Sequence, residues 1–109
     1  INFPGLPCHP QYQLAKEQMK GPGCMISFGL KDGFDGGKRL MNNVKIALLA
    51  VSLGGVESLI QHPASMTHAC VSKAEKNEVG ITDDLVRYSV GIENVEDLIA
   101  DMEQALDKV

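Results

Sequence analysis

Along the chain, apolar residues first fall into a regular beat at Cys24–Leu30, where Cys24, Ile26, Phe28 and Leu30 alternate with Met25, Ser27 and Gly29. A two-residue period of this kind is that of a half-buried strand. Leu85–Val90 repeats it, with Val86, Tyr88 and Val90 on one face and Leu85, Arg87 and Ser89 on the other. Val44–Val51, VKIALLAV, is instead almost continuously apolar, which predicts a strand buried on both sides. Ser52-Leu53-Gly54-Gly55 breaks it, and Val56–Ile60 resumes as a short strand before a loop at His62-Pro63-Ala64-Ser65.

Helical spacing is clearest at the C-terminal end. Val95, Leu98, Ile99, Met102 and Leu106 lie on one stripe, Asn94 offers a cap, and Glu96 and Asp97 sit near the positive end of the helix with Lys108 near the negative one. Ser72-Lys73-Ala74-Glu75 fits a capping box opening a helix from Ser72 to about Val79, which Gly80 stops. A helix over Gln11–Lys20 carries a modest stripe of Leu14, Ala15 and Met19 and ends at Gly21-Pro22-Gly23, while another runs from a cap at Asp35 to about Asn42. Phe3–Pro10, with three prolines and a glycine, reads as an extended lead-in. Strands interleaved with short helices, without repeat or linker, predict an α+β domain with helices over a small sheet and some antiparallel pairs.

Size and charge narrow the possible roles. The 109 residues suffice for one domain that folds without disulfide staples. Hydrophobic residues at 44% and charged residues at 22% belong to a globular chain, and no apolar run reaches the ~20 residues of a membrane span. A net charge of -4 argues against nucleic acid as a partner. The opening Ile1-Asn2-Phe3-Pro4 has neither initiator Met nor signal peptide and reads as a start inside a longer polypeptide. Cys8, Cys24 and Cys70 share no metal-ligand spacing, so small buried thiols in a reducing, cytoplasmic setting are expected, with no metal site.

Candidate chemistry is sparse. Arg87 lies among Leu85, Val86 and Tyr88, and a covered guanidinium must be paired, its fork matching a carboxylate or phosphate. The plainer alternative is an arginine on the solvent side of an edge strand. Ser52-Leu53-Gly54-Gly55 could let backbone groups approach a ligand, or could be a simple bend. His9, His62 and His68 lack ligand spacing and read as ordinary surface or loop histidines. Lys16, Lys20, Lys38, Lys73 and Lys76 belong to solvated helix faces, and Lys45 to a strand edge reaching water. No GxSxG, GxGxxG or GxxxxGK[ST] pattern is present.

Two longer stretches, SLGGVESLIQHPASMTH at Ser52–His68 and LVRYSVGIENVEDLIADMEQAL at Leu85–Leu106, closely resemble the C-terminal domain of the Cys/Met-metabolism family of pyridoxal-phosphate enzymes. The lead-in PGLPCHPQYQLAKEQMKGPGCMISF also looks like that family, so the resemblance covers nearly the whole chain. It implies the C-terminal small domain of a fold-type-I subunit, a largely antiparallel sheet covered by helices at residues 1–109, with the cofactor domain outside this chain. The family's Schiff-base lysine lies in a Ser-x-Thr-Lys context that does not occur here, so the resemblance implies no catalytic and no cofactor-binding residue in this chain. By similarity, Arg87 holds the substrate α-carboxylate, Ser52 borders it, and Thr67 lies near that arginine; together they orient the amino acid while pyridoxal 5'-phosphate does the electronic work.

Val51 stands where cystathionine-handling members carry an acidic residue. A buried valine there suits a thioether methyl and offers nothing to a distant ammonium group. The resemblance therefore implies α,γ-elimination of L-methionine to methanethiol, 2-oxobutyrate and ammonia, as in methionine γ-lyases. Cystathionine γ-synthase or lyase chemistry and O-acetylhomoserine sulfhydrylation are the alternatives within the family. A non-catalytic binding or assembly module is the alternative outside it. A small amino-acid substrate and a homotetramer of the full-length subunit are the implied partners, without nucleic acid or membrane.

Overall fold

A computed structural model describes residues 1–109. In chain order the elements are α1 (Tyr12–Gln18), β1 (Met25–Gly29), α2 (Gly33–Asn43), β2 (Leu48–Leu49), β3 (Leu59–Gln61), α3 (Lys73–Glu78), β4 (Leu85–Ser89) and α4 (Val95–Leu106). The strands form one four-stranded sheet in the order β1-β4-β3-β2. Both β1 and β3 pair antiparallel with β4, and β2 joins β3 in parallel at the edge. The α+β class with a mostly antiparallel sheet is thus the observed one.

The alternation in β4 puts Val86 and Tyr88 on the covered face, where they meet Ile60, Leu40 and Met41 of α2, and Ala105 of α4. Ile26 and Phe28 of β1 pack against the same cluster. Both long helices therefore lie on one side of the sheet. On the other side Met25, Ser27, Arg87 and Ser89 have no such cover and keep contact with solvent.

Caps and stops account for several boundaries. The Asn94 side chain accepts from the amides of Glu96 and Asp97, satisfying two orphan donors of α4. Ser72 and Glu75 form the capping box of α3, and Gly80 beyond that helix has φ +78°, a conformation a Cβ would oppose. The α2 helix begins two residues before the expected Asp35: Asp35 lies in its first turn, and Asp32 at the N-cap position turns its carboxylate to Arg39 instead of capping. Phe3–Pro10 is a succession of turns, not an extended segment, because the amides of Leu6 and His9 fold back onto the carbonyls of Phe3 and Leu6.

The largest departure is at Val44–Val51, where only Leu48–Leu49 is a strand, and both residues are about half exposed. The reason lies elsewhere in the chain. The Asp101 carboxylate of α4 accepts from the amides of Lys45 and Ile46, each at 2.8 Å, and of Ala47 at 3.4 Å. Those donors are taken by a side chain, so no ladder can form there, and pairing begins only where Leu48 N donates to Ser58 O at 2.8 Å.

Burial also corrects three side-chain readings. His62 is fully buried, its Nε2 donating to the Asp83 carbonyl at 2.8 Å and its Nδ1 2.8 Å from Ser65 Oγ. It is a packing histidine tying the turn after β3 to the start of β4. Lys76 is buried as well, with Nζ donating to Ala64 O at 3.2 Å, so its helix face is not a solvated one. All three cysteines are exposed and free, opposite to the buried thiols expected.

His62 packs tightly enough to yield a prediction. A Cβ added at Gly37 of α2 would lie 2.6 Å from the His62 ring. Gly37→Ala should therefore lower stability by about 1–3 kcal/mol through overpacking, despite alanine's better helix propensity, which urea midpoints of the chain would read. An increase in the midpoint would mean the ring moves freely.

Candidate functional site

Arg87 occupies β4, an inner strand of the sheet, and not the edge strand of the plainer reading. Its register partners are Ser27 on β1 and Gln61 on β3, so Ser27, Arg87 and Gln61 form a row across the face turned away from α2 and α4, in contact with solvent at Ser27 and Arg87 and buried at Gln61. The side chain is half-buried, and its single hydrogen bond is from Nε to the Met25 sulfur at 3.2 Å. Ser89 Oγ donates to the same sulfur at 3.4 Å. A thioether is a weak acceptor and carries no charge. The chain's two salt bridges, Arg39–Asp32 and Lys73–Asp83, involve neither Arg87 nor its neighbours. A guanidinium held on a rigid strand with no protein carboxylate for its terminal nitrogens is suited to accept one from outside, through two parallel N–H···O bonds.

Gln61 adds to this. It is only 6% exposed, and its Oε1 is the one buried side-chain polar atom of the chain without a hydrogen-bond partner. An orphaned acceptor of this kind costs free energy unless something occupies it.

The remaining predicted residues lie in loops beyond the strands of this row, and none is hydrogen-bonded to Arg87. Val51 and Ser52 follow β2 in an exposed loop, and since β2 and β3 run parallel, the loop leaves the sheet at the same end as Gln61. Val51 is 55% exposed, which corrects the expectation of a buried valine. Thr67 lies in the turn region after β3, exposed, with Oγ1 2.8 Å from His68 Nδ1. No hydrogen bond joins Arg87 to Ser52 or Thr67.

The far end of the Val51–Ser52 loop is fixed by residues that sequence reasoning overlooked. Glu93, between β4 and α4, accepts from Ser58 N at 2.7 Å and from Ser58 Oγ at 2.8 Å, while Ser58 Oγ accepts from Gly91 N at 2.8 Å. The Ser58 amide, the backbone amide of Glu93 itself and the serine hydroxyl hold the Glu93 carboxyl below the usual carboxylate range despite partial desolvation. Nothing local marks Ser58 or Glu93, which lie 35 residues apart. Ser58→Ala should leave the Gly91 amide unpaired and cost about 1–3 kcal/mol, visible as a lower urea midpoint. An unchanged midpoint would dismiss the clasp as a stabilising element.

An apolar groove of about 590 Å³ lies on the opposite, helix-bearing face, between β1 and α4, with Phe28, Tyr88, Leu98, Ile99 and Met102 among its walls. It offers almost no polar group and is separated from Arg87 by the sheet. The open-face row is therefore the candidate for chemistry.

The chain is 62% identical over 109 residues to an L-methionine gamma-lyase of Fusobacterium nucleatum subsp. nucleatum, covering 100% of this chain and 28% of that protein. It is 53% identical over 108 residues to a cystathionine gamma-lyase of Dictyostelium discoideum, covering 99% of this chain and 28% of the relative. Among solved structures it resembles the cystathionine gamma synthase of Xanthomonas oryzae pv. oryzae in complex with aminoacrylate and cysteine, with a TM-score of 0.88, 47% identity, and coverage of 97% of this chain and 27% of that one. The chain thus spans little more than a quarter of the length of these relatives. The family model for Cys/Met metabolism PLP-dependent enzymes matches residues 1–107, and the chain belongs to that family.

Proposed function

We propose that this chain is the C-terminal, substrate-carboxylate-binding part of a PLP-dependent lyase acting on sulfur amino acids, and that the full-length subunit carries out α,γ-elimination of L-methionine to methanethiol, 2-oxobutyrate and ammonia. The observation that carries the reading is Arg87, a half-buried guanidinium on an inner strand whose only partner is a sulfur atom. Its role is to take the α-carboxylate with both terminal nitrogens and so fix one end of the amino acid. Ser52 and Thr67 border the same end of the sheet, and Val51 faces the side chain of the substrate.

The residues of this chain do not fit the cofactor itself. No lysine stands in the Ser27–Arg87–Gln61 row, and no Ser-x-Thr-Lys sequence occurs. The chain binds and orients; the groups that hold the cofactor and move the substrate's protons belong to the rest of the subunit. The exposed Leu48, Leu49, Val51 and Leu53 beside the open face are the surface on which that remainder would close. No helix is long and apolar enough to cross a membrane.

Several relatives named L-methionine gamma-lyase favour methionine as substrate. The Dictyostelium cystathionine gamma-lyase favours a second reading, in which cystathionine is handled by the same carboxylate clamp. The test is the product profile of the full-length protein with methionine, cystathionine and O-acetylhomoserine. Methanethiol and 2-oxobutyrate from methionine, faster than turnover of the other two, supports the first reading. Cysteine release from cystathionine with no methanethiol supports the second.

Val51 separates the two at the level of one side chain. Val51→Glu places a carboxylate where a distant substrate ammonium would lie, and it should shift the cystathionine-to-methionine ratio of kcat/KM upward by about tenfold, the effect of one partly solvated ion-pair contact plus lost methyl packing. Equal ratios before and after the change would remove Val51 from the substrate pocket.

A further inference from the structure

The open-face row contains an acceptor without a donor beside a donor without a good acceptor. Gln61 Oε1 is buried and unpartnered. Arg87, directly opposite in the antiparallel register, spends its Nε on a neutral sulfur. Directly opposed residues on one face of such a pair have Cβ atoms about 4.5–5.5 Å apart, within reach of a long amide and a guanidinium. Rotating the Arg87 side chain away from Met25 would bring one guanidinium N–H to the glutamine oxygen and leave two parallel N–H groups facing outward. Gln61 itself is not at the surface to meet solvent, so its oxygen has few other donors available.

We propose that Gln61 is a positioning residue for Arg87. When an amino acid enters, Arg87 exchanges the Met25 sulfur for the Gln61 amide oxygen on its inner edge, and the α-carboxylate takes its outer edge. This rests on the carboxylate-binding role of Arg87 proposed above. Gln61 touches neither the substrate nor the reacting atoms; it sets the plane of the guanidinium. Met25 then serves as the resting partner, a weak acceptor that is readily given up.

The experiment uses the full-length enzyme and two ligands that differ only at the carboxyl group, L-norleucine and L-norleucinamide, neither of which has a leaving group at Cγ. Their inhibition constants against methionine turnover are measured for the parent, Gln61→Met, Arg87→Lys and the double variant. Gln61→Met, similar in length but without the acceptor, should weaken norleucine about tenfold, the effect of one hydrogen bond to a charged group, and leave norleucinamide unchanged. It should also raise KM for methionine more than it lowers kcat. In the Arg87→Lys background it should add almost nothing, since the partner whose plane it sets is gone. Gln61→Asn, which withdraws the oxygen by one methylene and keeps its polarity, should show the same selective loss and stands in if the methionine variant does not fold.

Equal weakening of both ligands by Gln61→Met and Gln61→Asn, or no weakening of either, would overturn the positioning role while leaving the Arg87 reading intact. Full additivity of the Gln61 and Arg87 effects would overturn it too. If Arg87→Lys leaves norleucine binding unchanged, the carboxylate role of Arg87 fails first, and the Gln61 proposal fails with it.

Discussion

Arg87→Ala in the full-length protein is expected to lower kcat/KM for methionine by about two to three orders of magnitude while leaving the absorbance of the bound cofactor unchanged. Two parallel charge-assisted hydrogen bonds to a carboxylate contribute about 1.5–3 kcal/mol each, and the half-exposed position of Arg87 in this chain argues for the lower end, about 3–4 kcal/mol in all. At 1.4 kcal/mol per decade this gives the stated range. The loss should appear mainly in KM, because on the proposed role Arg87 would hold the carboxylate in the ground state as well as in the transition state. Folding should be little disturbed, since Arg87 forms no ion pair and its one bond is to the Met25 sulfur. Arg87→Lys keeps the charge but loses the fork, so an intermediate loss of about tenfold is expected. Unchanged steady-state constants in both variants would place the carboxylate elsewhere.

The elements behind that prediction differ in how far the sequence discloses them. The alternation of β4 and the helical stripe and cap of α4 depend on neighbours within a few residues, so they can be read directly, as can the capping box of α3. What cannot be read locally is set by distant partners. VKIALLAV has the composition of a central strand, yet the Asp101 carboxylate, more than 50 residues away, captures its amides and confines the strand to Leu48–Leu49. His62 looks like a loop residue because its partners, Asp83 and the close-packed Gly37, lie on other elements. The inner position of β4 likewise follows from sheet order, which no single strand records. Arg87 stands out in the sequence as an oddity among apolar neighbours; the unsatisfied Gln61 oxygen on its flank follows only from the register between β3 and β4.

The Asp101 clasp also predicts a large loss of stability with a defined dependence on pH. Burial alone would raise the carboxyl, but the amides of Ile46 and Lys45, the Gln104 side chain and the Ala47 amide outweigh it and hold Asp101 below its ordinary value of 3.8. Asp101→Ala leaves the amides of Lys45 and Ile46 without their 2.8 Å partners and is expected to cost about 3 kcal/mol at neutral pH, counting about 1.5 kcal/mol for each of these two charge-assisted bonds. Asp101→Asn keeps one acceptor oxygen and should lose roughly half as much. A carboxyl held lower in the folded state than in the unfolded one stabilises the fold fully above its unfolded value, and this contribution disappears as pH falls through the folded value. The gap in urea midpoint between the parent and Asp101→Asn should therefore be constant near neutrality and narrow as the pH drops below 3.8. The same change has a functional reading, since Lys45–Ala47 lead directly into β2 and the loop of Val51 and Ser52. Releasing the clasp should raise KM for methionine in the full-length enzyme even at temperatures where Asp101→Asn remains folded. A gap that widens in acid would overturn the ionised-carboxylate account of the clasp, and a KM that stays put in a folded variant would separate Asp101 from the geometry of that loop.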